Sequence, residues 1–248
     1  FRIFIENMPA ESCLVYCEED DSLRKLAETL NSKVKKEPYR TPNYSIVNGS
    51  FCVTYDGTAC MMSIFGRHNM QNLEGARHIC SHLGITDKHF FDAISGFSGA
   101  GKRLQLLAEN HNKAVFLDFA HSPSKVEATV NAAKEQFPGR KLLACLELHT
   151  YSSLNKSFLV HYAGTMEQAD DAIVFYNPET IKHKRLPMLT KDDVSDAFKK
   201  KDLKVFNTKE ELETYLLSRK PQDVVYLLMS SGNFSGIDFK QFALELLG

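Results

Sequence analysis

The feature that most constrains this chain is a set of near-continuous apolar runs at 113–119, 141–147, 171–176 and 223–229. A strand with one wet face alternates apolar and polar residues, whereas a strand covered on both faces does not. A run such as VVYLLM therefore needs cover on both sides. Segments with helical spacing alternate with the runs, at 124–136, 155–168, 191–200, 208–219 and 236–247. Two further strands are expected at 103–109 and 203–206, the first pairing with 113–119 as a hairpin around His111-Asn112. Strand-helix alternation of this kind predicts an α/β fold with a mostly parallel sheet.

Within that frame the stretch 113–126, KAVFLDFAHSPSKV, stands out. It is a buried strand with a carboxylate, Asp118, near its end, and it turns into a helix after Pro123. In open α/β sheets ligands sit at the carboxyl ends of strands, close to helix N-termini. Asp118 and His121 would stand at that edge. On spacing alone, a solvated Asp and a turn His are an equal reading. Two other strand ends are polar. LELHTYSSLN carries Glu147, His149, Thr150, Ser152 and Ser153 and runs on to Asn155. MSSGNFSGIDF holds small residues from Ser230 to Gly236. Such a loop wraps a phosphate or makes a tight turn. Three polar strand ends on one edge weigh more than any single motif.

The rest of the chain is ordinary or negative. With a net charge of −1, nothing marks a general nucleic-acid or anionic-membrane binder, and neither partner is expected. The six cysteines form no CxxC pair, and several lie within apolar runs. They read as buried free thiols in a reducing compartment, the cytoplasm. No apolar stretch reaches the length of a membrane span, and FRIFIENMP does not read as a signal peptide. The chain begins at Phe1, which suggests a piece of a longer protein.

The first hundred residues read as smaller units. Helical spacing marks 1–9, a short strand 12–17, and a helix follows Asp20-Asp21. The Pro-bearing, basic stretch 32–43 reads as loop. Asp56-Gly57 between two apolar runs is a hairpin signal. A helical pattern runs over 66–85, with Asn69 and Asn72 on one face. Carboxamides suit a purine edge, and an N-cap with a solvated partner is the plainer alternative. A further helix covers 87–96. GFSGAGKR, at 96–103, nearly spells a phosphate loop. It has Arg103 where the magnesium-binding hydroxyl belongs and lacks a strand before it, so it reads as a glycine-rich joint between 1–97 and 98–248.

Several stretches together resemble the Mur ligases, ATP-dependent amide-forming enzymes of the bacterial cell wall. They are Gly66-Arg67-His68-Asn69 with Asn72, Phe97 with Lys102-Arg103-Leu104, Asp118-Phe119-Ala120-His121-Ser122-Pro123, and Ser231 to Ile237. The resemblance is closest to the branch that extends UDP-N-acetylmuramate. Within it, DFAH and SGNFSGI look more like peptide-adding than alanine-adding members. Folylpolyglutamate synthetases share the Asp118-x-x-His121 spacing, but 66–72 and the ending favour the cell-wall branch. The family architecture implies that 1–97 is the last part of an α/β ATPase domain and 98–248 a Rossmann-like C-terminal domain, with other domains of the same protein as partners.

The resemblance also implies roles. His68, Asn69 and Asn72 would lie by the adenine of ATP, Arg103 on its phosphates, and Asp118 by the ribose or hinge side. Arg103 and His121 would be catalytic. His121, His149, Ser152, Ser153, Asn155, Ser231 and Asn233 would face UDP-N-acetylmuramate or the incoming amino acid or peptide. Mg2+ would be held mostly by residues outside this chain, with no metal ligand here. The pattern departs at Gln105 (often Glu), Leu117 (often Asp) and Ser122 (often His), and 149–155 lacks the arginines of the alanine-adding branch. The alternatives are an alanine-adding member of the family and a non-catalytic nucleotide- or partner-binding domain.

Overall fold

The computed structural model describes residues 1–30, 33–47, 49–219 and 222–248. The chain divides into Phe1–Ser98 and Gly99–Gly248. The start of the stretch expected as loop, Ser32, lies outside the described residues. No helix among the described residues is long and apolar enough to cross a membrane.

The first unit contains α1 (Arg2–Glu6), β1 (Cys13–Cys17), α2 (Asp21–Thr29), β2 (Lys35–Tyr39), β3 (Tyr44–Val47), β4 (Ser50–Tyr55), β5 (Thr58–Met62), α3 (Arg67–His82) and α4 (Asp87–Ile94). Asp20 caps α2, its carboxylate accepting from Ser22 and Leu23 N–H. β1 and β2 form a parallel pair, and β3, β4 and β5 an antiparallel sheet. The loop expectation at 32–43 is therefore corrected. Lys35–Tyr39 is a strand, and Pro38 is tolerated because a two-stranded sheet leaves one edge of β2 unbonded. Strand β3 was not legible either. The Asp56-Gly57 hairpin joins β4 to β5, with both turn residues at positive φ. Aromatic stacking of Tyr44 on Phe51 and Tyr55 on Phe91 closes this small core.

The second unit contains β6 (Gln105–Glu109), β7 (Lys113–Asp118), α5 (Pro123–Gln136), β8 (Lys141–Leu148), α6 (Lys156–Leu159), β9 (Asp171–Tyr176), α7 (Pro178–His183), α8 (Lys191–Phe198), β10 (Lys204–Phe206), α9 (Lys209–Ser218), β11 (Val224–Met229) and α10 (Phe239–Leu247). The strands form one sheet in the order β10-β9-β8-β11-β7-β6, parallel except for the β6–β7 hairpin. β7, β8, β9 and β11 are buried almost throughout. Val115, Leu143, Ile173 and Tyr226 point to the core shared with Leu212 of α9 and Phe242 of α10. The residues between them face the side where α5 packs on β8 and β11. The expected two-sided cover is what forms.

Two expectations need correction. The helix expected at 155–168 is only α6 and one 3-10 turn, Val160–Tyr162. Gly164 has φ +79, which ends helical continuation, and Tyr162 is buried there. α7 is unexpected, although Asn177-Pro178, a cap followed by Pro at the first helical position, is its start signal. Cys52 and Cys145 are buried free thiols, as the apolar runs imply. Cys13, Cys17, Cys60 and Cys80 are only half-buried.

Candidate functional site at the strand-end edge

The carboxyl ends of β7, β11, β8 and β9 lie side by side, with Asp118 in register with Met229, Met229 with Leu146, and Leu148 with Tyr176. Two buried carboxylates organise this edge.

Asp118 is 4% exposed. One oxygen accepts from Leu104 N–H at 2.7 Å, and the other accepts from Ala120 N–H at 2.7 Å and from the Thr129 hydroxyl at 3.3 Å. Leu104 has φ +43 and Lys102 φ +56, so Arg103 stands between two left-handed residues that are not glycine. Such conformations cost on the order of 1 kcal/mol or more and persist only where surroundings fix them. The Asp118 carboxylate and the Phe119 N–H to Lys102 carbonyl bond (2.7 Å) supply that fixing. The result is an exposed Arg103 whose guanidinium lies over the Phe119 ring, 5.8 Å from its centroid.

Phe119 also meets His121 edge-on, with ring centroids 5.1 Å apart. His121 Nδ1 lies 2.8 Å from the Phe119 carbonyl. A carbonyl only accepts, so Nδ1 carries the proton and Nε2 is left with the lone pair when the ring is neutral. The His121 carbonyl accepts from the buried Tyr162 hydroxyl. Burial pushes that phenol up to about 12.

Glu147 is the second buried carboxylate, 3% exposed. One of its oxygens accepts from the Ser230 hydroxyl and from Phe234 N–H at 2.9 Å, and its other oxygen is 3.7 Å from His149 Nδ1. Phe234 and Ser235 are again left-handed, at φ +48 and +58. Gly232 is required here, since a Cβ would lie 2.8 Å from the Glu147 carboxylate and 2.9 Å from the His149 ring. Ser230 N–H donates to the Asp118 carbonyl (2.9 Å), and Asn177 Nδ2 donates to Ser235 Oγ (2.8 Å), joining the neighbouring strand ends.

The edge thus brings together Arg103, Asp118, His121, His149 and the Ser231–Asn233 loop. Ser231 Oγ is buried and has no hydrogen-bond partner among the described residues. Asn233 is exposed, and its side-chain oxygen accepts from Gly236 N–H at 3.1 Å. Ser152 is exposed, 3.1 Å from the Thr150 hydroxyl. Two expected substrate contacts have other work. Ser153 is fully buried, its hydroxyl engaged with Thr150 backbone and side chain. Asn155 caps α6 through Ser157 N–H and Oγ. Gln105 accepts from Lys102 N–H. Glu147, seen in sequence as one of several polar residues, and Asn177 are the organising groups that sequence reasoning missed. A carboxylate inside a buried strand is the signal for the first. Lys184, with its ammonium 4.1 Å from the Tyr151 ring centroid, is a cation beside this loop that spacing did not show.

In the first unit, Gly66 at φ +92 opens α3, and the helix places His68, Asn69 and Asn72 in its first turns. Asn69 Nδ2 donates to the Phe65 carbonyl at 2.8 Å, leaving its side-chain oxygen as an acceptor. Asn72 is exposed. GFSGAGKR follows a helix and precedes β6, so it is not a phosphate loop.

A family model for "Mur ligase, glutamate ligase domain" matches residues 102–232, just over half the chain. The UDP-N-acetylmuramate–L-alanine ligase of Carboxydothermus hydrogenoformans is 24% identical across 97% of this chain and 54% of its own length. The solved murein peptide ligase of Psychrobacter arcticus 273-4 shares 18% identity at a TM-score of 0.65, covering 100% of this chain and 54% of that one. The MurF ligase of Thermotoga maritima, solved in complex with ADP, shares 16% at 0.66, covering 98% and 54%. These structures carry the fold alone, and the chain spans about half the length of the curated relatives it matches. With that match over the clamped edge itself, the chain belongs to the Mur ligases, residues 102–232 being its glutamate ligase domain.

Proposed function

We propose that this chain forms part of a longer ATP-dependent ligase that joins an amino acid or peptide to UDP-N-acetylmuramate in the cytoplasm. The observation that carries the reading is Arg103, held exposed between two left-handed residues by a buried Asp118 beside Phe119 and His121. A preorganised cation lowers a barrier where negative charge develops, as on a transferring phosphoryl group or a departing phosphate. Arg103 takes that role. His121 Nε2 accepts the proton that the attacking amine loses. His149, Ser152, Ser231 and Asn233 line the approach of the amine substrate, and the partnerless Ser231 hydroxyl supports a ligand contact there. Of the roles expected for Asp118, its buried bonds support the hinge side, because they fix the Arg103 turn. Ser153 and Asn155 support the loop from within.

His68, Asn69 and Asn72 are proposed to take the adenine, with the free Asn69 oxygen and Asn72 amide as its polar partners. ATP supplies the phosphoryl group that activates a carboxylate. At the strand-end edge, Asp118 and Glu147 are both committed to protein donors, so neither fits as a Mg2+ ligand and no step is assigned to that ion here. The curated relatives are named for L-alanine, whereas the loop at 149–155 has no arginine.

The test is ADP release by the full-length ligase with UDP-N-acetylmuramate and either L-alanine or the tripeptide L-alanyl-γ-D-glutamyl-meso-diaminopimelate. Turnover with one amine, and none by residues 1–248 alone, is expected. ATP hydrolysis by the purified 248-residue chain would contradict this division of labour. Full-length protein that binds nucleotide without turnover on either amine would favour the non-catalytic reading.

A further inference from the structure

Outside that edge, the first unit holds a cluster of a different chemistry. Helix α3 presents His78 and His82, four residues and therefore one turn apart, towards β1 and β2. His82 Nε2 is 3.0 Å from Glu37 Oε2, and Cys13 Sγ is 3.7 Å from the same oxygen. The three ligand atoms of Cys13, Glu37 and His82 all lie within 4.8 Å of one another. His78 Nδ1 is 2.7 Å from the other Glu37 oxygen, and its Nε2 is 3.3 Å from Glu74 Oε1.

We propose that Cys13, Glu37 and His82 form a binding site for one zinc-class divalent ion, with His78 orienting the carboxylate. The distances fit that use. Tetrahedral zinc with bonds of about 2.0–2.3 Å sets its ligand atoms roughly 3.3–3.6 Å apart. Two of the three pairs, at 3.0 and 3.7 Å, bracket that range, and the third lies within 4.8 Å, so adjustments of about an ångström close the three groups on an ion. A thiolate with an imidazole and a carboxylate selects zinc or cobalt over magnesium or calcium, which take oxygen. Three protein ligands leave a fourth position for water. His78, bonded to Glu37 on one side and Glu74 on the other, is the outer support that fixes a ligating group. The opposing interaction is Lys35, whose ammonium is 3.3 Å from Glu37 Oε2. Its side chain is 68% exposed, so it swings into water at little cost.

The experiment is a Co2+ titration of the reduced 248-residue chain in oxygen-free buffer, followed by absorption, with Zn2+ and Mg2+ as competitors. One Co2+ per chain is expected. It should show a thiolate-to-cobalt charge-transfer band and the visible bands of a four-coordinate ion, both bleached by Zn2+ and unaffected by excess Mg2+. Cys13→Ser should abolish the charge-transfer band, and His82→Gln and His78→Gln should each weaken binding about tenfold or more. Circular dichroism of each variant checks its fold. A charge-transfer band that survives in Cys13→Ser, displacement by Mg2+, or no saturable band in the wild-type chain would each overturn the site.

Discussion

The two units differ in their most tightly held carboxylates. In Gly99–Gly248, Asp118 and Glu147 are buried at strand ends and accept largely from backbone N–H groups, each holding a turn with two left-handed residues. In Phe1–Ser98 the corresponding clusters lie nearer the surface and are held mainly by side chains. Arg77 is bound by both Glu74 and Asp87, and Glu19 by Arg67, Thr41 and Gln71. A buried carboxylate with backbone partners fixes the main chain and makes a strained loop affordable. A surface pair adds little stability and is screened by salt. The contrast accounts for the two left-handed turns at the strand-end edge, at 102–104 and 234–235.

Removing Asp118 should give the largest effect. Asp118→Ala leaves the Leu104 and Ala120 N–H groups buried without acceptors, at about 1–3 kcal/mol each. Urea unfolding of the full chain should show a loss of about 2–6 kcal/mol. A loss below about 1 kcal/mol would mean that the Arg103 turn does not depend on the clamp. Next comes alkaline pH. The Tyr162 phenol is raised in the folded state, so its contribution is complete below its ordinary value near 10 and lost as pH rises through about 12. Tyr162→Phe should flatten that part of a stability-versus-pH curve. An unchanged alkaline slope would exclude Tyr162 as its source.

Acid sensitivity should be smaller, and Glu19 is one source of it in the first unit. The Thr41 hydroxyl and backbone N–H, with Gln71 and Arg67, hold Glu19 at about 2. A depressed carboxylate contributes above its ordinary value near 4.5, and the contribution is lost as pH falls through about 2. Glu19→Gln should cost under about 1 kcal/mol at neutral pH and reduce the acid slope. A cost as large as that of Asp118→Ala would erase the contrast between the units.

The same contrast governs what the sequence made legible. The parallel sheet was readable because strands covered on both faces cannot alternate, as VVYLLM does not. Asp118 and His121 were readable because a strand end and a helix start bracket them, whereas a role for Arg103 came only from the family resemblance. Glu147 was seen only as one polar residue among several, because nothing in LELHT tells which oxygen meets Phe234, 87 residues away. Ser153 and Asn155 were ambiguous because a hydroxyl or amide that closes a local turn is indistinguishable in sequence from one that meets a ligand. β2 and β3 were obscured by lysines, a proline and short length, which are ordinary for edge strands. The cluster at Cys13, Glu37 and His82 joins three distant segments, so no spacing rule points to it.

The central claim is that the Asp118-clamped turn presents Arg103 as the cation of an amide ligase. Its most direct test is the turnover number of the full-length ligase with Arg103→Ala, measured beside the urea midpoint of the same variant. The account predicts a fall of about 100-fold or more in rate with an unchanged midpoint, as for loss of a preorganised charge. A near-normal rate would contradict it.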